Sequence, residues 1–234
     1  MSDAGGVTAS AELVARVGDA LAHVRRRIAS TGVAPDAVTI VAVTKGFGPE
    51  AMAAAAANGL TEVGENYAQE CVAKLEALGG EPAVRVHFIG HLQSNKVRAL
   101  APHIALWQTL DRSSVVDAVA RHAPGAAVLV QVNVSDEPQK GGCPPAEVAP
   151  VVDHARARGL DVRGLMTVGR TGAPTDARDG FALLRSWCDR LGLPVCSMGM
   201  TDDLEVAVGE GATMVRVGSA LFGMRPSKAS SELA

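Results

Sequence analysis

Lys45 directly follows the apolar run VTIVAVT, residues 38–44. An amine delivered by a hydrophobic strand into a partly dry site loses proton affinity and becomes a nucleophile able to form a Schiff base. A lysine that merely caps a strand at the surface would look the same, and position alone does not separate the two readings. Two later segments add a second kind of chemistry: SMGMTDD (197–203) and RVGSALFG (216–223). Gly199 and Gly218 let backbone approach an anion closely, and Ser197, Thr201 and Ser219 supply hydroxyls. Each segment by itself reads equally well as a helix cap. An amine beside a phosphate cradle, however, is the pair of groups that one small phosphorylated aldehyde would need.

Those residues must be brought together by the elements between them. Residues 9–31 predict an N-terminal helix, because Leu13, Val14, Val17, Leu21, Val24 and Ile28 recur at spacings of three and four. Arg25, Arg26 and Arg27 are expected on its solvated outer face. Short apolar runs then alternate with helical segments. Strands are predicted at 38–44, 62–64, 84–89, 104–108, 127–134, 162–167, 194–197 and 214–217. Helices are predicted at 49–58, 68–78, 94–101, 112–122, 144–157, 175–191 and 202–209, with a short one after Ser219. The strands are near-continuous in hydrophobicity rather than alternating, as when both faces of a parallel sheet are covered. Eight strand–helix units in 234 residues imply an α/β fold, a single (β/α)8 TIM barrel with an additional N-terminal helix. Residues 10–224 read as one barrel domain and 225–234 as a polar, flexible tail. In such a barrel the strand C-termini carry function, and the last strand closes against the first. Lys45 is then the neighbour of Gly218 and Ser219.

Composition excludes several classes. Twenty-two Lys+Arg against 25 Asp+Glu give a net charge of −3, which argues against nucleic-acid or membrane-surface binding. The chain shows no secretory start and no apolar stretch near the roughly 20 residues of a membrane helix, so a cytoplasmic protein is expected. Cys71, Cys143, Cys188 and Cys196 form no Cys-x-x-Cys pair and read as reduced thiols. His87 and His91 flank a strand end, where four residues span about 13 Å, too far for a shared metal. P-loop, dinucleotide and Gly-x-Ser-x-Gly signatures are absent. Trp107, Trp187 and the four Phe are expected in packing rather than base stacking.

In order along the chain stand VAVTK, GENYAQE, HFIGHLQSNK, VLVQVNVSDEPQKGGC, RGLMTV, SMGMTDDLEVAV and MVRVGSALFG. With these seven motifs, spread from about residue 10 to 224, the sequence resembles the pyridoxal-phosphate homeostasis protein family (the YggS/PROSC group). That family is related to the N-terminal barrel of alanine racemase. The resemblance implies that Lys45 carries pyridoxal 5′-phosphate (PLP) as an internal aldimine. It implies that Ser197, Thr201 and the Gly218-Ser219 backbone hold the phosphate, that Asn66 lies near the ring, and that Arg216 faces the pyridine nitrogen. A guanidinium only donates, so that nitrogen would stay unprotonated and be a poor electron sink. The chain departs from the family in Gly46, where a bulkier residue often follows the lysine. It departs again in Met166-Thr167-Val168-Gly169, where a proline is commoner.

What the resemblance implies is a carrier that holds PLP for PLP-dependent apo-enzymes, with at most weak side activity. A monomer is expected because the second domain of the racemase dimer is not visible, and no metal because the six histidines and four cysteines do not cluster at zinc-site spacing. Two other readings stay open. An amino-acid racemase of the alanine racemase type needs a second base, and the chain has one tyrosine, Tyr67, and no visible second domain. A Schiff-base aldolase of a phosphorylated sugar would place its lysine on a later strand.

Overall fold

In the computed structural model, residues 7–79 and 84–225 are described. Eight parallel strands close into a barrel in the order in which they occur along the chain. They are β1 (Thr39–Val43), β2 (Glu62–Glu65), β3 (Arg85–Phe88), β4 (Ile104–Leu110), β5 (Ala127–Gln131), β6 (Asp161–Met166), β7 (Val195–Ser197) and β8 (Met214–Val217). The helices that follow them are α2 (Pro49–Ala57), α3 (Ala68–Ala77), α4 (Val97–Leu100), α5 (Ser113–His122), α6 (Val148–Ala157), α7 (Arg178–Leu191), α8 (Leu204–Gly209) and α9 (Ser219–Phe222). Ahead of the barrel runs α1 (Ala11–Ala29), started by Ser10, whose side chain accepts the Leu13 amide over 3.2 Å. Of the predicted stripe, Val17, Leu21, Val24 and Ile28 are buried, while Leu13 and Val14 are half-buried and pack against the core.

The continuous hydrophobicity of the strands has a simple cause. Outward residues such as Ile40, Ala42, Val86, Phe88, Trp107, Val128, Val130 and Val215 join the helices in the main core. The alternate residues Val41, Leu106, Leu129, Met166 and Met214 make a second, smaller cluster, in the inward register of a packed barrel. That register is not wholly apolar: His87, Gln108, Gln131, Ser197 and Arg216 are buried too.

Several boundaries differ from those predicted. β5 ends at Gln131 rather than Val134, because Val132 bridges to Cys143 and the Asn133 amide donates to the Cys143 carbonyl. The predicted helix 94–101 opens as a 3-10 turn over Ser94–Lys96 before α4, and that at 144–157 opens with Pro145–Glu147 before α6. Arg27 is not on a solvated face. Its side chain is only 20% exposed, paired with Glu205. Trp107 is fully buried, whereas Trp187 stays partly exposed beneath Arg190, whose guanidinium sits 4.5 Å from the ring centroid. All four cysteines are buried and unpaired. Among the described residues no helix is long and apolar enough to cross a membrane, and no cluster of metal-binding side chains occurs. Of the expected tail, 226–234 lie outside the described residues; Arg225 lies within them.

Candidate functional site

The first and last strands define the site. β1 pairs with β8 so that Ala42 lies opposite Val217, which sets the loop after β1 beside Gly218 and Ser219. A cavity of about 580 Å³ opens there at the C-terminal ends of the strands, lined by Lys45, Asn66, Thr201, Arg216, Gly218 and Ser219. Apolar walls are added by Val43, Ile89, Met166 and Val168. Six of the seven side chains or backbone segments expected at the site therefore share one cavity.

Ser197, expected beside the phosphate, is the exception. Its side chain is fully buried and does not line the cavity. Its hydroxyl donates to Gln108 Oε1 over 2.7 Å and accepts from Arg216 Nη1 over 2.8 Å. The residue sits inside the barrel, bonded to Arg216 and Gln108.

Lys45 emerges half-buried. Burial, and then the charges of Arg225 and Arg216, hold its ammonium below the ordinary lysine range. The backbone at Gly46 turns through φ 77°, and the Gly46 amide donates to Glu70 Oε1 over 2.6 Å. A Cβ at Gly46 would also stand 3.0 Å from Arg225 Cδ. The departure from the family at this position thus suits a tight turn crowded by Arg225.

Under that turn lies a buried polar network that nothing in the spacing had pointed to. Glu65, fully buried at the end of β2, accepts from the Thr44 hydroxyl over 2.6 Å and from Lys74 Nζ over 2.7 Å. Lys74 Nζ also donates to the Thr44 carbonyl over 2.8 Å and reaches Glu70 Oε1 at 2.5 Å. Burial pushes the Glu65 carboxyl up, against the pull of Lys74 and Thr44. The signal available was GENYAQE itself, whose Glu65 and Glu70 straddle the loop. Asn66 is placed by a close approach: a Cβ on Gly90 would lie 2.0 Å from the Asn66 carbonyl oxygen, so only glycine fits there.

Another wall of the cavity is built by the loop after β7, with Met200, Thr201 and Asp202. Asp203 Oδ1 accepts the Met200 amide over 2.6 Å, and the Gly199 carbonyl accepts the Arg216 amide over 3.0 Å. Thr201 Oγ1 accepts from the Ala220 amide at 3.3 Å and lies 3.1 Å from Ser219 Oγ, which joins the two loops. From outside, Arg27 Nη2 donates to the Thr201 carbonyl over 2.8 Å while its fork grips Glu205 at 2.6 Å twice. Arg216 forms the floor. Its guanidinium donates to Ser197 and to the Thr167 carbonyl over 2.7 Å. Burial pushes its pKa down to about 10, so it stays a cation and a pure donor at neutral pH. Tyr67 lies outside this cavity and is 55% exposed.

Fold and site together define a single-barrel protein with a strand-end lysine set between an arginine floor and a hydroxyl-lined loop. Comparison with known proteins gives the particular family. The model of the alanine racemase N-terminal domain family matches residues 18–226. The chain is 39% identical over 223 residues to the pyridoxal phosphate homeostasis protein of Pseudomonas aeruginosa, covering 92% of this chain and 95% of that one. It is 36% identical over 230 residues to the protein of that name from Escherichia coli K12, covering 88% and 95%. The structure of PipY from Synechococcus elongatus with PLP bound superimposes with a TM-score of 0.78 at 30% identity, covering 88% of this chain and all of that one. The chain belongs to the pyridoxal phosphate homeostasis protein family, on the alanine racemase N-terminal fold.

Proposed function

We propose that this protein binds pyridoxal 5′-phosphate in the cavity at the mouth of the barrel and serves in PLP homeostasis. The single observation that carries the reading is the enclosure of Lys45, Arg216, Thr201, Gly218 and Ser219 around one cavity of about 580 Å³. Its fit to the cofactor rests on a half-buried amine with lowered proton affinity, a cation at the floor and a hydroxyl-bearing loop opposite. When bound, the cofactor supplies an aldehyde to an amine and an electron sink to whatever is attached to it.

The residues of this chain divide the work. Lys45 provides the amine for a Schiff base, with loss of water. The lowered proton affinity raises the fraction of neutral amine available. Thr201 and Ser219, with the backbone at Gly218, hold the phosphate. Arg216, held as a donor, faces the ring nitrogen and keeps it an acceptor, which suits storage over turnover. Asn66 and the apolar walls flank the ring. In this reading the protein acts as a monomer in the cytoplasm and passes PLP to PLP-dependent apo-enzymes.

The test is a PLP titration followed by visible absorbance, then mixing with an apo-enzyme. Native protein is expected to develop a stable visible band and to restore apo-enzyme activity as it bleaches. Lys45→Ala should develop no such band. A native protein that stays colourless, or a loaded one that turns over alanine or serine robustly, would overturn the reading.

A further inference from the structure

Behind the cavity a line of buried polar side chains runs through the barrel to its opposite end. Arg216 Nη1 donates to Ser197 Oγ over 2.8 Å, and Ser197 Oγ donates to Gln108 Oε1 over 2.7 Å. Gln108 Nε2 lies 2.8 Å from His87 Nδ1, and His87 Nε2 lies 2.7 Å from Glu62 Oε2. That last contact is out of line for a straight hydrogen bond, and Glu62 Oε2 has no other partner among the described residues. Ser197, Gln108, His87 and Arg216 are each more than nine-tenths buried. Glu62 stands at the start of β2, where it pairs in register with Arg85 at the start of β3, at the other end of the barrel from Lys45.

The line has one possible polarity. A guanidinium can only donate, so Ser197 Oγ must accept from Arg216 and spend its own proton on Gln108. Turning the Gln108 amide over would aim an N–H at Ser197 and leave the serine proton buried without an acceptor, a costly arrangement. The amide nitrogen has a second neighbour that agrees: Met214 Sδ accepts from Gln108 Nε2 at 3.3 Å. Both amide protons are then used, one on the sulfur and one on His87 Nδ1. The histidine proton is thereby placed on Nε2, facing Glu62.

We propose that Ser197, Gln108 and His87 form a one-directional hydrogen-bond relay that positions Arg216 at the cavity floor and ties it to Glu62 at the far end of the barrel. This rests on the reading that Arg216 faces the cofactor ring. The three residues touch no ligand; they are positioning residues, acting through Arg216. Apolar residues in the same register would fill the barrel equally well but would remove the bond at Nη1 and leave the guanidinium held through Nη2 to the Thr167 carbonyl. The relay also gives the pocket a route to the opposite end, because any change in how Arg216 donates must be passed along bonds of fixed direction.

The experiment uses the ¹⁵N-labelled full chain and reads the ring nitrogens of His87 by NMR, before and after addition of PLP. Without PLP, Nε2 is expected to carry the proton and Nδ1 to be bare; a protonated Nδ1 with a bare Nε2 overturns the relay. With PLP, the His87 resonances should move. Ser197→Ala should abolish the movement and Ser197→Thr restore it. If the visible band shows PLP bound and His87 does not respond, the relay is overturned and the cofactor reading survives. If PLP does not bind at all, the cofactor reading fails, and the His87 tautomer alone decides the relay. Should Ser197→Ala not fold, the near-isosteric Gln108→Glu replaces it. A carboxylate has no proton to give Nδ1, so the relay requires the proton to appear there; an unchanged tautomer overturns it.

Discussion

Lys74 Nζ donates over 2.8 Å to the carbonyl oxygen of Thr44, the residue immediately before Lys45. The same ammonium neutralises Glu65, which is fully buried. Lys74→Met strands that carboxylate and releases the strand end. Removing one partner of a buried pair costs about 3–5 kcal/mol, so urea denaturation should show a loss of that order. Lys74→Met/Glu65→Gln should recover most of it. Because burial already raises the affinity of Glu65 for a proton, the single variant should lose less in acid, where the stranded group is neutral. A loss below about 1 kcal/mol at neutral pH, the range of an exposed pair, would contradict this placement.

Arg27 holds the loop of Thr201 from outside the barrel, through the Thr201 carbonyl and both oxygens of Glu205. Arg27→Ala should weaken PLP binding by up to about tenfold, equivalent to about 1.4 kcal/mol, without touching the cavity. Arg27→Lys should not rescue it, since a point charge cannot reproduce the fork. The hydrogen bond from Arg27 holds the Glu205 carboxyl below its ordinary range. A depressed carboxylate contributes stability above its unfolded pKa and loses it as pH falls through the folded value. Thermal melts of native and Arg27→Ala protein should therefore converge as pH falls below about 4. Equal PLP dissociation constants for the two proteins would sever α1 from the site.

Much of this was legible in the residues. Barrel count and order follow from runs such as VTIVAVT, because parallel strands covered on both faces leave an unbroken apolar signature. The pairing of Lys45 with Gly218 and Ser219 follows from closure alone. Other features are hidden for a physical reason. Ser197 lies two residues before Gly199, and sequence cannot tell a hydroxyl facing the cavity from one facing the barrel interior. Arg27 looks like its neighbours Arg25 and Arg26, and only the crossing of α1 over α8 selects it. Glu62, His87 and Gln108 come from three strands, and their alignment depends on barrel stagger, which no local spacing records. Arg225 reads as part of a polar tail, yet it borders Gly46 and the cavity.

Gly46→Ala tests the turn after the lysine. Its φ of 77° lies in the left-handed region, where a side chain costs about 1–2 kcal/mol. The added methyl would also meet Arg225. A fall in unfolding free energy of that size, with slower uptake of PLP, is expected; an unaltered protein would mean that the turn is not as described.

Arg225 should tune the amine. Its charge is among the causes that hold Lys45 below the ordinary lysine range. The rate of PLP uptake should rise with pH through a midpoint below about 10.4. Arg225→Ala removes a positive neighbour, so the midpoint should move upward. Arg225 is exposed, and added salt should shrink the difference. A downward move would contradict the assignment.

The most direct measurement is peptide mass spectrometry of PLP-loaded protein reduced with borohydride. A phosphopyridoxyl group is expected on Lys45 at close to one per chain, with Lys74, fully engaged under the turn, and Lys140 unlabelled. Label spread over surface lysines, or label that persists at the same level in Lys45→Ala, would show that the amine at the mouth of the barrel is not the one that holds the cofactor.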